Sequence, residues 1–416
     1  MEFIREKIKE KPINKKRIAK QMGIAALCGG VFALTTCIVV LIFMPVLRST
    51  FLDGMPGNQQ GITPGGAQSG DSNIEENTED TSQPGGIIPD FNLSLEDYQE
   101  LQNQLYKIGS TVNKSIVTIR AIVEKEEDIN QSDVDTDLGS GVIIDSDENY
   151  YYVLTEKKFV QDAPRLRVGF MNQSSADATL LKYDGNTGIA ILAVEKRQID
   201  KTTQRTITVA KVANSYAIGN GTIVIALGNP LGTNYSILTG NITSADNEVM
   251  TLDNNYDVFT TDIVASKYAS GVIVNTNGEI VGMVIQDFSY SNDIHTLTAV
   301  SISEITGIID KLVSGNDIPY LGLYVSTITD QIAQAYDLPK GVFIRDVLMD
   351  SPAMLAGLQS GDVITHINGE EIYTDFAYSD KLQKLIPGTT CEVTVQRQNG
   401  NAYVEIKCEV EIGVLK

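Results

Sequence analysis

The chain has 416 residues, enough for two or three domains, and its 42% hydrophobic content with 35 glycines suits globular, strand-rich domains. The formal charge is −21, yet residues 1–20 hold eight of the 32 basic side chains and three of the 53 acidic ones, leaving 24 against 50. So acidic a surface repels phosphate backbones and excludes nucleic acid as a natural partner.

Residues 1–20 read as a basic cytoplasmic tail, and 21–47 as a transmembrane anchor. From Ile24 to Met44 no residue is charged, and these 21 residues span roughly 31 Å as a helix, about one hydrocarbon core. Lys15, Lys16, Arg17 and Lys20 precede the run, so a single pass is expected with the N-terminus cytoplasmic and the remainder outside. The run ends in Pro45-Val46-Leu47-Arg48, without the small-residue cleavage site of a secretory signal. Residues 48–92 form a linker rich in Gly, Ser, Gln, Asn and acids, too polar to fold alone.

Leu93 to Val112 reads as a helix capped by Ser94, with Glu96 and Asp97 in its first turn. Short β-type runs follow, among them Ile116–Ile119, Val142–Ile144, Tyr151–Leu154, Ile189–Leu192 and Ile223–Ala226. Their spacing, with turns such as Asp184-Gly185-Asn186 and Asn277-Gly278 between them, indicates an all-β sandwich or barrel. Ser301–Val313 reads as a helix. Ile318–Glu411 reads as a small α+β module with helical stretches at Asp330–Tyr336 and Asp380–Leu385. A last hairpin turning on Asn399-Gly400 would set Val393 opposite Ile406 and Cys391 opposite Cys408, which leaves a disulfide and simple packing both open. With two histidines and no C-x-x-C pair, the sequence calls for no metal and no cofactor.

Six segments resemble, in order, the HtrA/DegP family of trypsin-like serine proteases. They are Leu138–Ile144 (the G-S-G strand), Tyr152–Thr155, Ile225–Gly232 (A-x-G-N-P-x-G), Thr239–Ala245 (T-G-x-x-S), Thr261-Asp262 with Ser270–Asn275, and Asn277–Gly282. Tyr320-Leu321-Gly322-Leu323, Ser351-Pro352-Ala353, Ala356–Ile364 and Ile367-Asn368-Gly369 resemble a PDZ domain. The resemblance implies a mainly β chain: a trypsin-like double β-barrel over 93–314 and a PDZ domain over 318–411, after the N-terminal transmembrane helix. It also implies a homo-oligomer, a trimer in this family, working in envelope protein quality control or signalling. Successive amides at Tyr320, Leu321, Gly322 and Leu323 would take the terminal carboxylate of a protein or peptide. Leu321, Leu323, Leu382 and Leu385 are candidates for the pocket of its last side chain, or else ordinary core.

The catalytic machinery that the resemblance implies is degenerate. Acyl transfer needs a nucleophile, a base, a carboxylate that orients the base, and an oxyanion hole. Lys158 stands where the histidine is expected and Gly188 where the aspartate is expected. The nucleophile falls on Ser270 or Ala269, depending on whether the loop is aligned from its start or its end. The glycine two residues before it is replaced by Lys267 or Tyr268, so the loop is expected to leave the oxyanion-ready shape. His295 and His366 fall at no triad position. Three readings follow: a pseudoprotease that binds through its PDZ domain, an active endopeptidase with Lys158 as base to Ser270, and a membrane-tethered peptide sensor or scaffold. The second requires a strongly depressed Lys158 pKa, against the solvated look of Glu156-Lys157 beside it.

Overall fold

Helix α1 (Leu95–Val112) begins on a capping box: Ser94 Oγ accepts from Asp97 N–H at 3.2 Å, and Asp97 accepts from Ser94 N–H at 2.9 Å. The computed structural model describes residues 94–123, 134–289, 295–400 and 402–415. The tail, anchor and linker expectations lie outside those residues. Among the described residues no helix is long and apolar enough to cross a membrane.

Strands β1 (Ile116–Val123), β2 (Val134–Ser146), β3 (Tyr150–Glu156), β4 (Leu166–Gly169), β5 (Ser175–Tyr183) and β6 (Ile189–Glu195) close into a barrel in the order β1-β2-β3-β6-β5-β4. Short helix α2 (Lys201–Thr206) leads out of it. A second sheet holds β7 (Lys211–Val212), β8 (Ile223–Asn229), β9 (Ser236–Met250), β10 (Asn255–Val264), β11 (Ser270–Val274), β12 (Glu279–Val284) and β13 (Thr296–Ser301). Its order is β11-β8-β9-β10-β13-β12-β7, and an added β11–β12 pairing closes the ring. Alternation along the strands separates the cores. Val117, Ile119, Ile143, Val153 and Leu192 fill the first barrel; Val224, Ala226, Phe259 and Ile273 fill the second.

The opposite strand faces meet in a third core between the barrels, with Ile116, Val142, Leu154, Ile191, Ile225, Leu227 and Val272. Helix α3 (Ile302–Val313) lays Ile302, Ile305, Ile308, Ile309 and Leu312 on this seam, the i, i+3, i+6, i+7, i+10 set of one helical face. Helix α1 also packs there. It approaches so closely that a Cβ at Gly109 would lie 2.6 Å from Ile237.

The C-terminal domain is one sheet, β14 (Leu323–Thr327), β15 (Val342–Val347), β16 (Val363–Ile367), β18 (Thr390–Asn399) and β19 (Ala402–Glu411), with β17 (Glu370–Glu371) beside β16. Helices α4 (Asp330–Tyr336), α5 (Pro352–Leu355) and α6 (Asp375–Gln383) accompany it. The expected helix at 380–385 is displaced: α6 starts at Asp375 because Thr374 caps it, accepting from Ala377 N–H at 3.1 Å. The last hairpin is also displaced, pairing Asn399 with Ala402 rather than turning on Asn399-Gly400, with Gly400 at φ 64° after the last paired residue. Val393 therefore faces Cys408 and Cys391 faces Val410, so the two cysteines are not opposite, and both are free and buried. Arg397 grips the buried Asp362 carboxylate with two bonds of 2.7 Å, from Nε and Nη2.

Candidate functional site

Strand β3 ends on Glu156, and the 3-10 turn Lys157–Phe159 that follows carries Lys158. The expected solvated stretch is corrected at Glu156 alone: Lys157 is half-buried and Lys158 exposed, but Glu156 is 4% exposed, because the end of β3 continues the buried run of that strand and pairs with Ile189 at the start of β6. Glu156 Oε2 meets Lys158 Nζ at 2.7 Å, and its Oε1 has no hydrogen-bond partner. Asp287, from the segment after β12, holds the same ammonium at 3.1 Å. Burial pushes the Glu156 carboxyl up to about 7, although Lys158 pulls against it. Burial works against the Lys158 ammonium too, but Glu156 and then Asp287 outweigh it, and the lysine pKa lies above its ordinary value. A lysine so held is a poorer base than a free one, the opposite of the depression that the active reading requires.

Ser270 opens β11 and is 2% exposed. Its Oγ accepts from Ser140 N–H, on β2 of the first barrel, at 2.9 Å. Ser140 in turn donates to Asn234 Oδ1 at 2.5 Å. Ala269, the other candidate, is fully buried. The loop before it closes a tight turn: Ser266 N–H bonds Pro230 O at 2.8 Å, and Ala269 N–H bonds Ser266 O at 3.0 Å. That tight turn engages the amide of Ala269, which would be an oxyanion-hole donor if Ala269 held the nucleophile's place. Neither Lys267 nor Tyr268 takes a positive φ, and Tyr268 points out, 67% exposed. Gly188 sits at φ 74°, with open space where a side chain would begin. His295 is exposed, its carbonyl accepting from Ala265 N–H at 2.8 Å at the start of this loop, and His366 lies beside Thr365 in the C-terminal domain.

In the C-terminal domain Gly322 takes φ 90°, which aligns three consecutive amides on one side of the loop. They converge on the carboxylate of Asp253, from the turn between β9 and β10: Leu321 N–H and Gly322 N–H at 2.7 Å, Leu323 N–H at 3.0 Å. Tyr378 of α6 adds its hydroxyl at 2.6 Å. Burial pushes the Asp253 pKa up, against the pull of these four donors. The proximity of Asp253 also helps burial raise the Tyr320 hydroxyl to about 12. Of the proposed pocket residues, Leu321, Leu323 and Leu382 are fully buried in the domain core, and Leu385 packs against it half-buried. Sequence reasoning missed Asp253 and Asp287, each in an ordinary turn distant in sequence from its partner. Glu156, two residues before Lys158, was within reach as a charge pair.

Two β-barrels followed by a PDZ fold define a trypsin-like protease architecture joined to a PDZ domain. Residues 139–283 match the trypsin-like peptidase domain and residues 319–408 match the PDZ domain. A probable periplasmic serine endoprotease DegP-like of Pseudomonas putida is 32% identical over 275 residues, 65% of this chain and 55% of that protein. A serine protease Do-like HtrA of Bacillus subtilis is 27% identical over 355 residues, 80% of this chain and 74% of that protein. The chain thus spans 55% of the length of relatives such as the first. Among solved structures, the HtrA-type protease AlgW with decapeptide shares the fold at a TM-score of 0.55 and 19% identity, over 74% of this chain and 98% of that one. The chain belongs to the HtrA/DegP family.

Proposed function

We propose that this chain is a membrane-anchored, extracytoplasmic HtrA-family pseudoprotease that binds protein or peptide C-termini through its PDZ domain. One observation carries the loss of activity: the ammonium at the histidine's place is the ion-pair partner of Glu156 and Asp287, while Ser270 Oγ is turned onto Ser140 N–H. The partner of the Ser270 hydroxyl among the described residues is a backbone amide, and the lysine at the histidine's place is committed to two carboxylates. The turned-in loop and the missing carboxylate at Gly188 add to this. Peptide binding is supported by the convergent amides of Leu321, Gly322 and Leu323 and by the decapeptide that accompanies AlgW, a structural neighbour. The uncharged run from Ile24 to Met44 behind a basic tail supports the anchor, and relatives named as periplasmic support the compartment.

Fluorophosphonate labelling and casein turnover test the reading. Wild type and Lys158→His/Gly188→Asp should both stay unlabelled. Losing one oxyanion donor costs about 10²–10³ in rate, and parts that act as a unit are not restored piecemeal. The aspartate would also have to adopt the φ of 74° seen at Gly188. Stoichiometric labelling of Ser270 in the wild type would overturn the pseudoprotease reading. Labelling only in the double variant would acquit the loop.

A further inference from the structure

The loop expected to take a terminal carboxylate already holds a carboxylate. Asp253 is 5% exposed and accepts from the amides of Leu321, Gly322 and Leu323, the expected fourth donor, Tyr320 N–H, being bonded to Gly413 O at 3.0 Å, while its own N–H donates to Leu323 O at 2.7 Å. An acceptor oxygen pair on the three amides and an N–H on the following carbonyl is the polar pattern that an added peptide's last residue would supply. Two residues on, Asn255 Nδ2 reaches Asp375 at 2.7 Å and Val325 O at 3.4 Å, lying along β14, the edge strand where a peptide would add. The turn is braced from the first barrel: Asn186 donates to Leu252 O at 2.7 Å and to Thr251 Oγ1 at 3.0 Å. At φ 59° Asp253 takes the left-handed conformation that aspartate tolerates better than most residues.

Each backbone N–H is a single donor, so the nest cannot serve Asp253 and a peptide terminus together. We propose that Asp253 is a built-in ligand of the PDZ carboxylate site, and that a peptide C-terminus binds by displacing it and freeing the domain from the β9–β10 turn. This rests on the reading of Tyr320–Leu323 as a carboxylate site and gives that site its regulation. Displacement links occupancy to the second barrel, since β9 and β10 are two of its strands. Two such sites then share a coupling free energy, the requirement for a sensor. The apparent affinity for peptide is reduced by the fraction of molecules in which the nest is open.

The test uses the full chain and fluorescein-labelled peptides ending in Val, Leu or Phe, each as free acid and as amide, read by anisotropy. Hydrogen exchange at Leu321–Leu323 is followed in parallel. Asp253→Asn and Asp253→Ala should bind the free acids about tenfold or more tighter than the wild type, and should exchange those amides faster. Tyr378→Phe, which removes one donor and keeps the ring, should lie between, so the result does not depend on one variant folding. Amides should not bind any form. Equal free-acid affinity in the wild type and all three variants would overturn the latch while leaving the peptide site standing. Faster exchange in the variants with no free acid binding any form would instead remove the peptide-site reading, and the displacement proposal with it.

Discussion

Replacing Glu156 by glutamine should remove a pH dependence that this one side chain gives the fold. In the folded chain its pKa is about 7 against an ordinary 4.5, burial being the main cause and Lys158 the main opposition. Between those values the folded state binds more protons than the unfolded state, so stability falls as pH rises. At about 1.4 kcal/mol per unit, the whole span is on the order of 3 kcal/mol. The contribution is fully present below about 4.5 and gone above about 7. Glutamine keeps the shape and stays neutral throughout, and Lys158 keeps Asp287 as a partner at 3.1 Å. Urea unfolding followed across that window should show the wild type losing ground to Glu156→Gln, with the variant ahead by about 3 kcal/mol at the alkaline end. Parallel curves for the two proteins would refute the reasoning, because they would mean that Lys158 holds Glu156 ionised at every pH tested.

Arg397→Met should cost about 3 kcal/mol in urea unfolding, since it strands the Asp362 carboxylate, 1% exposed, with Gln359 N–H at 2.9 Å as its remaining bond partner. Adding Asp362→Asn should recover part of the loss, and no recovery would point to lost packing instead. Cys391 and Cys408 should both be recovered as alkylated thiols after denaturation without reductant, and a linked peptide pair would refute the observed register. In the native protein Cys391 should alkylate slowly, because burial pushes its thiol up to about 11. A cysteine placed at Ser72 should react with a membrane-impermeant reagent in intact cells. Labelling only after lysis would reverse the proposed topology.

Local signals were the most legible part of the chain. Ser94 announces α1, and α4 falls on Asp330–Tyr336 as its pattern indicates. The ordered run of strand motifs carried the double barrel, because alternation and turn glycines are properties of short segments. The failures came where one residue of phase or a distant partner decides. Thr374, not Asp380, fixes the start of α6, and the pairing of Asn399 with Ala402 moves every cross-strand neighbour of Cys391. Lys158 and Gly188 at the expected triad positions are a reading of the sequence alone, whereas the burial of Glu156 and the bond from Ser140 N–H to Ser270 Oγ become visible only in the fold. Asp253 was the least visible: its partners lie 68 to 70 and 125 residues away in sequence.

The position of β14 bears on solubility as well as on recognition. It is the outermost strand of its sheet, and an uncovered edge offers its backbone to any extended chain, including another copy of itself. Asp253 and Asn255 cap the carbonyls of Leu323 and Val325 on that strand. A molecule whose β9–β10 turn has swung away and found no ligand is therefore exposed to strand-to-strand self-association, so the Asp253 variants should be the first forms to aggregate on concentration or mild heating.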